Sequence, residues 1–240
     1  MRRGGRVSGR PGAPVLPPPL RAGLGLIAAL AALVVVVLGL LYAGHDRPGR
    51  VDAWIQPAVD GVRPPWRYVA LAADFLGEPA GAVMLVGAAV MGCLLLRRPR
   101  SAVLLVAGAG LAVGTATLLK SVVGRTIHGG YLSYPSGHTA FATAIAVVVA
   151  LLATGRRGLG RTGGTLLVLA AALVAGAVMG WAEVALGAHY PTDALGGWCT
   201  ALAVTPATAW LVDRTADRLG GRTAVRTGDR SGDAGRREHR

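Results

Sequence analysis

Charged side chains are scarce in this chain: Asp, Glu, Lys and Arg make up 15% of its 240 residues. Those that interrupt its apolar stretches therefore stand out. In Leu186-Gly187-Ala188-His189-Tyr190-Pro191-Thr192-Asp193 an Asp follows a His by four residues. A carboxylate so placed can accept the imidazole Nδ1–H and leave Nε2 as an oriented lone pair, a nucleophile or a base. The same spacing suits a plainer arrangement, with Asp193 capping the next helix and His189 sitting at an interface. A second stretch, Tyr134-Pro135-Ser136-Gly137-His138, leads into an apolar run. Ser136 is a good helix N-cap, and the free N–H groups of such a helix start attract anions. A cap alone has no use for His138. Lys120, Arg125, His128 and Glu183 complete the set of polar groups near these stretches.

Six apolar runs must position them: Ala22–Ala43, Pro79–Leu96, Ser101–Leu119, Thr139–Thr154, Thr162–Ala182 and Ala194–Val212. A helix needs about 20 apolar residues to cross a bilayer. The runs predict an all-α, polytopic membrane bundle of about six transmembrane helices. The mixed stretch His45–Glu78 reads as extramembrane or interfacial, with room for a short surface helix. Of the 25 Lys and Arg, only Arg47, Arg50, Arg63, Arg67, Lys120 and Arg125 fall outside if both termini are cytoplasmic. Retention of positive charge on the cytoplasmic side therefore predicts an N-in, C-in topology. It also accounts for the net charge of +13 without invoking nucleic acid. Residues 1–21 and 213–240 read as disordered basic cytoplasmic tails around a membrane domain at 22–212. The first run is too long for a signal-peptide core and is expected to be retained. Cys93 and Cys199 fall near opposite membrane faces, so packing is expected of them and not a disulfide. In this topology every polar group named above reaches the outer face.

Lys120, then Tyr-Pro-Ser-Gly-His at 134–138, then Leu-Gly-x-His-Tyr-Pro-x-Asp at 186–193 resemble the three signature motifs of the type 2 phosphatidic acid phosphatases. These are membrane members of the acid phosphatase and vanadium haloperoxidase superfamily, and the resemblance spans roughly residues 22–212. It implies hydrolysis of lipid phosphates or pyrophosphates at the extracytoplasmic side of the plasma membrane, with no cofactor and no metal. It implies His189 as the nucleophile that carries a phosphohistidine, Asp193 as its orienting carboxylate, and His138 as the general acid. Lys120 and the main chain near Ser136 and Gly137 would bind the phosphate. Apart from the resemblance, the positions of Arg125 and Glu183 by topology place them in the same substrate-binding set. The implied partners are a lipid phosphate substrate and the bilayer.

The sequence departs from the family pattern at two arginines. Where the first motif continues with Arg-Pro, this chain has Ile127 and His128; where the third begins Ser-Arg, it has Ala182 and Glu183. A pocket with one Lys and two Arg thus becomes one Lys facing one Glu. A phosphomonoester carries about −1.5 to −2 near pH 7. Three outcomes fit: Arg125 and His128 take over the clamp, the substrate is less charged, or activity is lost. Glu183 is expected to pair with Arg125 or Lys120. Two competing functions fit the same residues. One is a non-catalytic phospholipid-binding or carrier protein of the same fold. The other is a metal site built from His138, His189, Asp193 and Glu183.

Overall fold

The computed structural model describes residues 13–237, with side chains as far as residue 220. A 3₁₀ turn at Pro18–Leu20 leads into α1 (Arg21–Leu41). Then come α2 (Arg50–Val59), α3 (Trp66–Phe75), α4 (Pro79–Leu95), α5 (Pro99–Val123), α6 (Gly137–Arg157), α7 (Arg161–Ala185) and α8 (Pro191–Arg237). A short antiparallel hairpin, β1 (Thr126–Ile127) with β2 (Tyr131–Leu132), separates α5 from α6. Five helices, α1 and α5 to α8, are long and apolar enough to cross a membrane; α3 and α4, joined at a 67° bend, together make a sixth span. The fold is the all-α polytopic membrane bundle expected from the apolar runs.

α6 is the innermost span and lies against α5, α7 and α8, while α1 runs along α8. Large apolar side chains such as Leu26, Leu33, Val106, Leu166 and Leu173 stay on the outer surface. Lipid tails solvate such groups, so close helix approach has to come from small residues. Gly176 leaves room on α7 for the ring of Trp198, whose Nε1–H donates to the Ala172 carbonyl at 2.9 Å. On α8, a Cβ at Gly196 would strike the ring of Tyr134, and one at Gly197 the carbonyl of Ser136. These two glycines let the starts of α6 and α8 meet.

Three expectations are corrected. His45–Glu78 is not simply interfacial, because its second helix, α3, joins the membrane domain as half of the bent span. The N-terminal tail does not reach residue 21: Val15 and Leu16 are buried and donate their N–H groups to the Asp213 carboxylate at 2.9 and 3.0 Å. The C-terminal tail does not begin at 213 either. Asp213 is buried, Arg100 bridges it and Asp217, and α8 continues to Arg237. Residues 1–12 and 238–240 of the expected tails lie outside the described residues. Cys93 and Cys199 are free and buried, as their placement required.

Candidate active site

Ser136 caps α6, accepting the Thr139 N–H on its Oγ at 3.0 Å. Its own N–H donates to the Asp193 carbonyl at 3.0 Å, which ties the start of α6 to the start of α8. Tyr134, buried just before it, donates its phenol to the Val35 carbonyl on α1 at 2.7 Å. Burial pushes that phenol well above its ordinary range, so it remains a donor. His189 follows the left-handed Gly187, whose φ is +75°, and lies in the turn between α7 and α8. Glu183 comes from the last turn of α7 and Lys120 from the last turn of α5. All of these are helix ends on one side of the bundle.

Glu183 lies at the centre and is 1% exposed. Its Oε2 accepts from the Ser136 hydroxyl, at short range, and from the Thr139 hydroxyl at 2.9 Å. Its Oε1 stands 3.4 Å from His138 Nδ1 and 3.5 Å from His189 Nε2. The expected pairing of Glu183 with Arg125 is therefore not found; the carboxylate lies between the two histidines. Lys120 is in electrostatic reach of both Glu183 and Asp193 but forms no ion pair among the described residues.

Arg125 is also placed differently from the expected phosphate clamp. It is fully buried and committed to two carboxylates, Asp52 and Asp193, each at 2.6 Å, and it donates to Thr192 Oγ1 at 2.7 Å. The rings of Tyr42 and Tyr190 cover its guanidinium at 4.0 and 4.4 Å from their centroids. A guanidinium buried this way is a structural anchor with no free fork for a ligand. His128 does not join a clamp: it is exposed, and its ring meets the Gly187 carbonyl at 2.7 Å, fastening the hairpin to the α7–α8 turn.

His189 and Asp193 do come together. Nδ1 lies 3.7 Å from Asp193 Oδ2, within reach but beyond a hydrogen bond. Asp193 Oδ2 accepts the Tyr190 N–H at 3.1 Å, and Oδ1 takes Arg125. One carboxylate thus caps α8, anchors Arg125 and faces the histidine. That use of Asp193 removes it from the metal set considered from sequence.

Three carboxylates at the pocket escaped the sequence reading. Asp52 on α2 accepts from Arg125, the Gly49 N–H and both the N–H and hydroxyl of Thr192. Asp74 and Glu78, either side of the α3–α4 bend, approach His138 Nε2 at 3.9 and 3.6 Å. Gly77, in the bend, has no room for a Cβ because the His138 ring packs there. A signal was available: acids four residues apart at the mouth of an apolar run are costly unless used.

Two apolar grooves flank the site. One, about 350 Å³, is lined by Ile55, Val59, Trp181, Val184, Ala194 and Trp198. The other, about 300 Å³, lies along Ala73, Leu76, Phe141, Ile145 and Met179.

Fold and site together define a polytopic helical membrane protein with a two-histidine polar pocket where its helix ends converge. The chain belongs to the PAP2 superfamily, whose family model matches residues 21–217. Among solved structures it is similar to the first transmembrane PAP2 type phosphatidylglycerolphosphate phosphatase from Bacillus subtilis. The identity is 22% and the TM-score 0.61, over 80% of this chain and 96% of that one. Among curated proteins no relative matches the chain.

Proposed function

We propose that this protein is a membrane phosphatase that hydrolyses a lipid phosphate or pyrophosphate at the outer face of the cell membrane, through a phosphohistidine on His189. The observation that carries the reading is the placement of His189. Its ring is buried, Nδ1 faces the anchored Asp193, and Nε2 turns toward the pocket at the start of α6. Asp193 would hold the ring's tautomer and stabilise the charge that develops on attack. Arg125 and Asp52 would in turn hold Asp193. Lys120 and the α6 start at Ser136 and Gly137 would bind the phosphoryl oxygens, and His138 would face the leaving oxygen as proton donor. The flanking grooves suit acyl or prenyl chains, which favours a lipid over a soluble ester. The phosphatidylglycerolphosphate phosphatase of similar fold makes a phospholipid monoester the first substrate to try.

One observation favours a second reading, a non-catalytic phospholipid-binding protein: the Glu183 carboxylate occupies the space between the two histidines. Phosphate release from phosphatidylglycerol phosphate, phosphatidic acid and undecaprenyl pyrophosphate separates the two. Release that disappears in His189→Ala, with an acid-labile phosphoryl-enzyme trapped from the wild type, is the expected result. Binding of these lipids without release from any of them would establish the second reading.

A further inference from the structure

The end of the bundle remote from the histidines holds a pocket of its own, about 440 Å³ in volume. Small-ligand sites span about 300–1,000 Å³. On α8, Trp210, Asp213, Arg214, Asp217 and Arg218 recur at spacings of three and four and so share one helix face. α1 runs along α8, and Arg21, its first residue, completes the lining.

The charges here are unevenly paired. Both acids are satisfied by groups that do not line the pocket. Arg100 bridges Asp213 at 3.4 Å and Asp217 at 2.9 Å, and the Val15 and Leu16 N–H groups donate to Asp213. Arg21, Arg214 and Arg218 have no carboxylate partner among the described residues. Arg21 donates to the Leu16 carbonyl at 3.4 Å, and Arg214 lies over the Trp210 ring, 5.0 Å from its centroid, which leaves the edge of its fork open. Counting Arg100, four arginines against two aspartates leave two positive charges. A basic residue that only sets topology has to lie on the correct side of the membrane. It need not converge with two others on a cavity whose acids are already paired. Trp210 fixes the depth. It is half-exposed and stands two residues before the end of the apolar run Ala194–Val212, where an indole marks the boundary between hydrocarbon and headgroups.

We propose that Arg21, Arg214 and Arg218 bind the phosphodiester of an anionic glycerophospholipid from the leaflet on the side of the two termini, the inner leaflet in the N-in, C-in topology. A guanidinium fork takes two phosphate oxygens at once, and basic pockets between membrane helices suit such headgroups. The headgroup carries no amine. The ammonium of a choline lipid would enter among three guanidiniums while both nearby acids are occupied by Arg100, so repulsion selects against it. The bound phosphate bridges Arg21 on α1 to Arg214 and Arg218 on α8, and so adds a second fastener to the clasp that Asp213 makes with Val15 and Leu16. The site is independent of the histidine pocket and of the phosphatase reading.

The test uses full-length protein, stripped of lipid in a neutral detergent and titrated with dioleoyl phosphatidylglycerol while bound lipid is counted by native mass spectrometry. A saturable adduct is expected at concentrations where dioleoyl phosphatidylcholine gives none. Its Kd should rise by roughly tenfold or more in the double variant Arg214→Gln/Arg218→Gln. It should be unchanged in Arg156→Gln/Arg157→Gln, which removes the same charge at the same end of the bundle but outside the pocket. It should also be unchanged in His189→Ala. No saturable binding by the wild type, equal retention of phosphatidylcholine, or an equal loss in the Arg156 and Arg157 variant would overturn the proposal. A loss in His189→Ala with none in the Arg214 and Arg218 variant would overturn it by placing the lipid among the histidines. Displacement by inorganic phosphate at equal concentration would overturn it in favour of a soluble anion.

Discussion

At the scale of the residue, Asp193 both anchors Arg125 and faces His189. Asp193→Asn is expected to lower turnover by about 10⁴, since Asn cannot stabilise an imidazolium as a carboxylate does. It also removes one of the two carboxylates around Arg125, so part of any loss will be structural. Asp52→Asn separates the contributions. It perturbs the same guanidinium without touching His189, so it should lower the melting temperature in detergent while kcat falls far less than in Asp193→Asn. Equal kcat losses in the two variants would mean that Asp193 acts only through packing. Arg125→Met would strand two buried carboxylates, a change that costs about 3–5 kcal/mol. A thermal melt close to wild type for that variant would contradict the anchoring role.

At the scale of the element, what matters is how closely helices approach, and two glycines make opposite predictions. A Cβ at Gly197 would meet the Ser136 carbonyl, which is backbone and cannot step aside. Gly197→Ala should therefore prise α8 from α6 and destabilise the protein by about 1–3 kcal/mol, visible as poor yield and a lowered melt. A Cβ at Gly77 would meet a side chain, the His138 ring, which can swing away. Gly77→Ala should melt near the wild-type temperature yet lose most of its turnover because His138 is displaced. A variant that is unstable but fully active would refute this account of the α3–α4 bend.

At the scale of the whole molecule, the distribution of basic residues predicts the orientation. Nineteen of the 25 Lys and Arg fall on the side that carries both termini. A reporter fused at the C-terminus should read as cytoplasmic, and a cysteine introduced at Gly130 in the hairpin should be labelled from outside intact cells. The opposite pattern would move the site to the inner face and exclude an extracytoplasmic substrate. Arg100, half-buried and paired with Asp213 and Asp217, and the Val15 and Leu16 contacts to Asp213, close the bundle at the end remote from the histidines. The two ends of the molecule are thus built differently: an ion-paired clasp at one, a carboxylate-rich pocket at the other.

The amino-acid sequence alone determined the all-α membrane bundle and singled out the two histidines that the fold brings to one pocket. Long uncharged runs have only one stable solution in lipid, and His138 and His189 stand in short motifs whose spacing places them at helix starts. It also exposed the two missing arginines, since these are positions within motifs. What only the tertiary structure decided was the partner of each charge. Arg125 was the nearest cation to Glu183 by topology, yet folding brings Asp52 from α2, 73 residues away in the chain, onto its guanidinium. Asp74 and Glu78 fell in a stretch whose polarity read as interfacial, and they became part of the pocket because α3 packs along α7 and the bend at Gly77 meets the His138 ring at the start of α6. Charge pairing depends on distances between separate helices, and a linear pattern of residue types records the faces of single helices but not those distances.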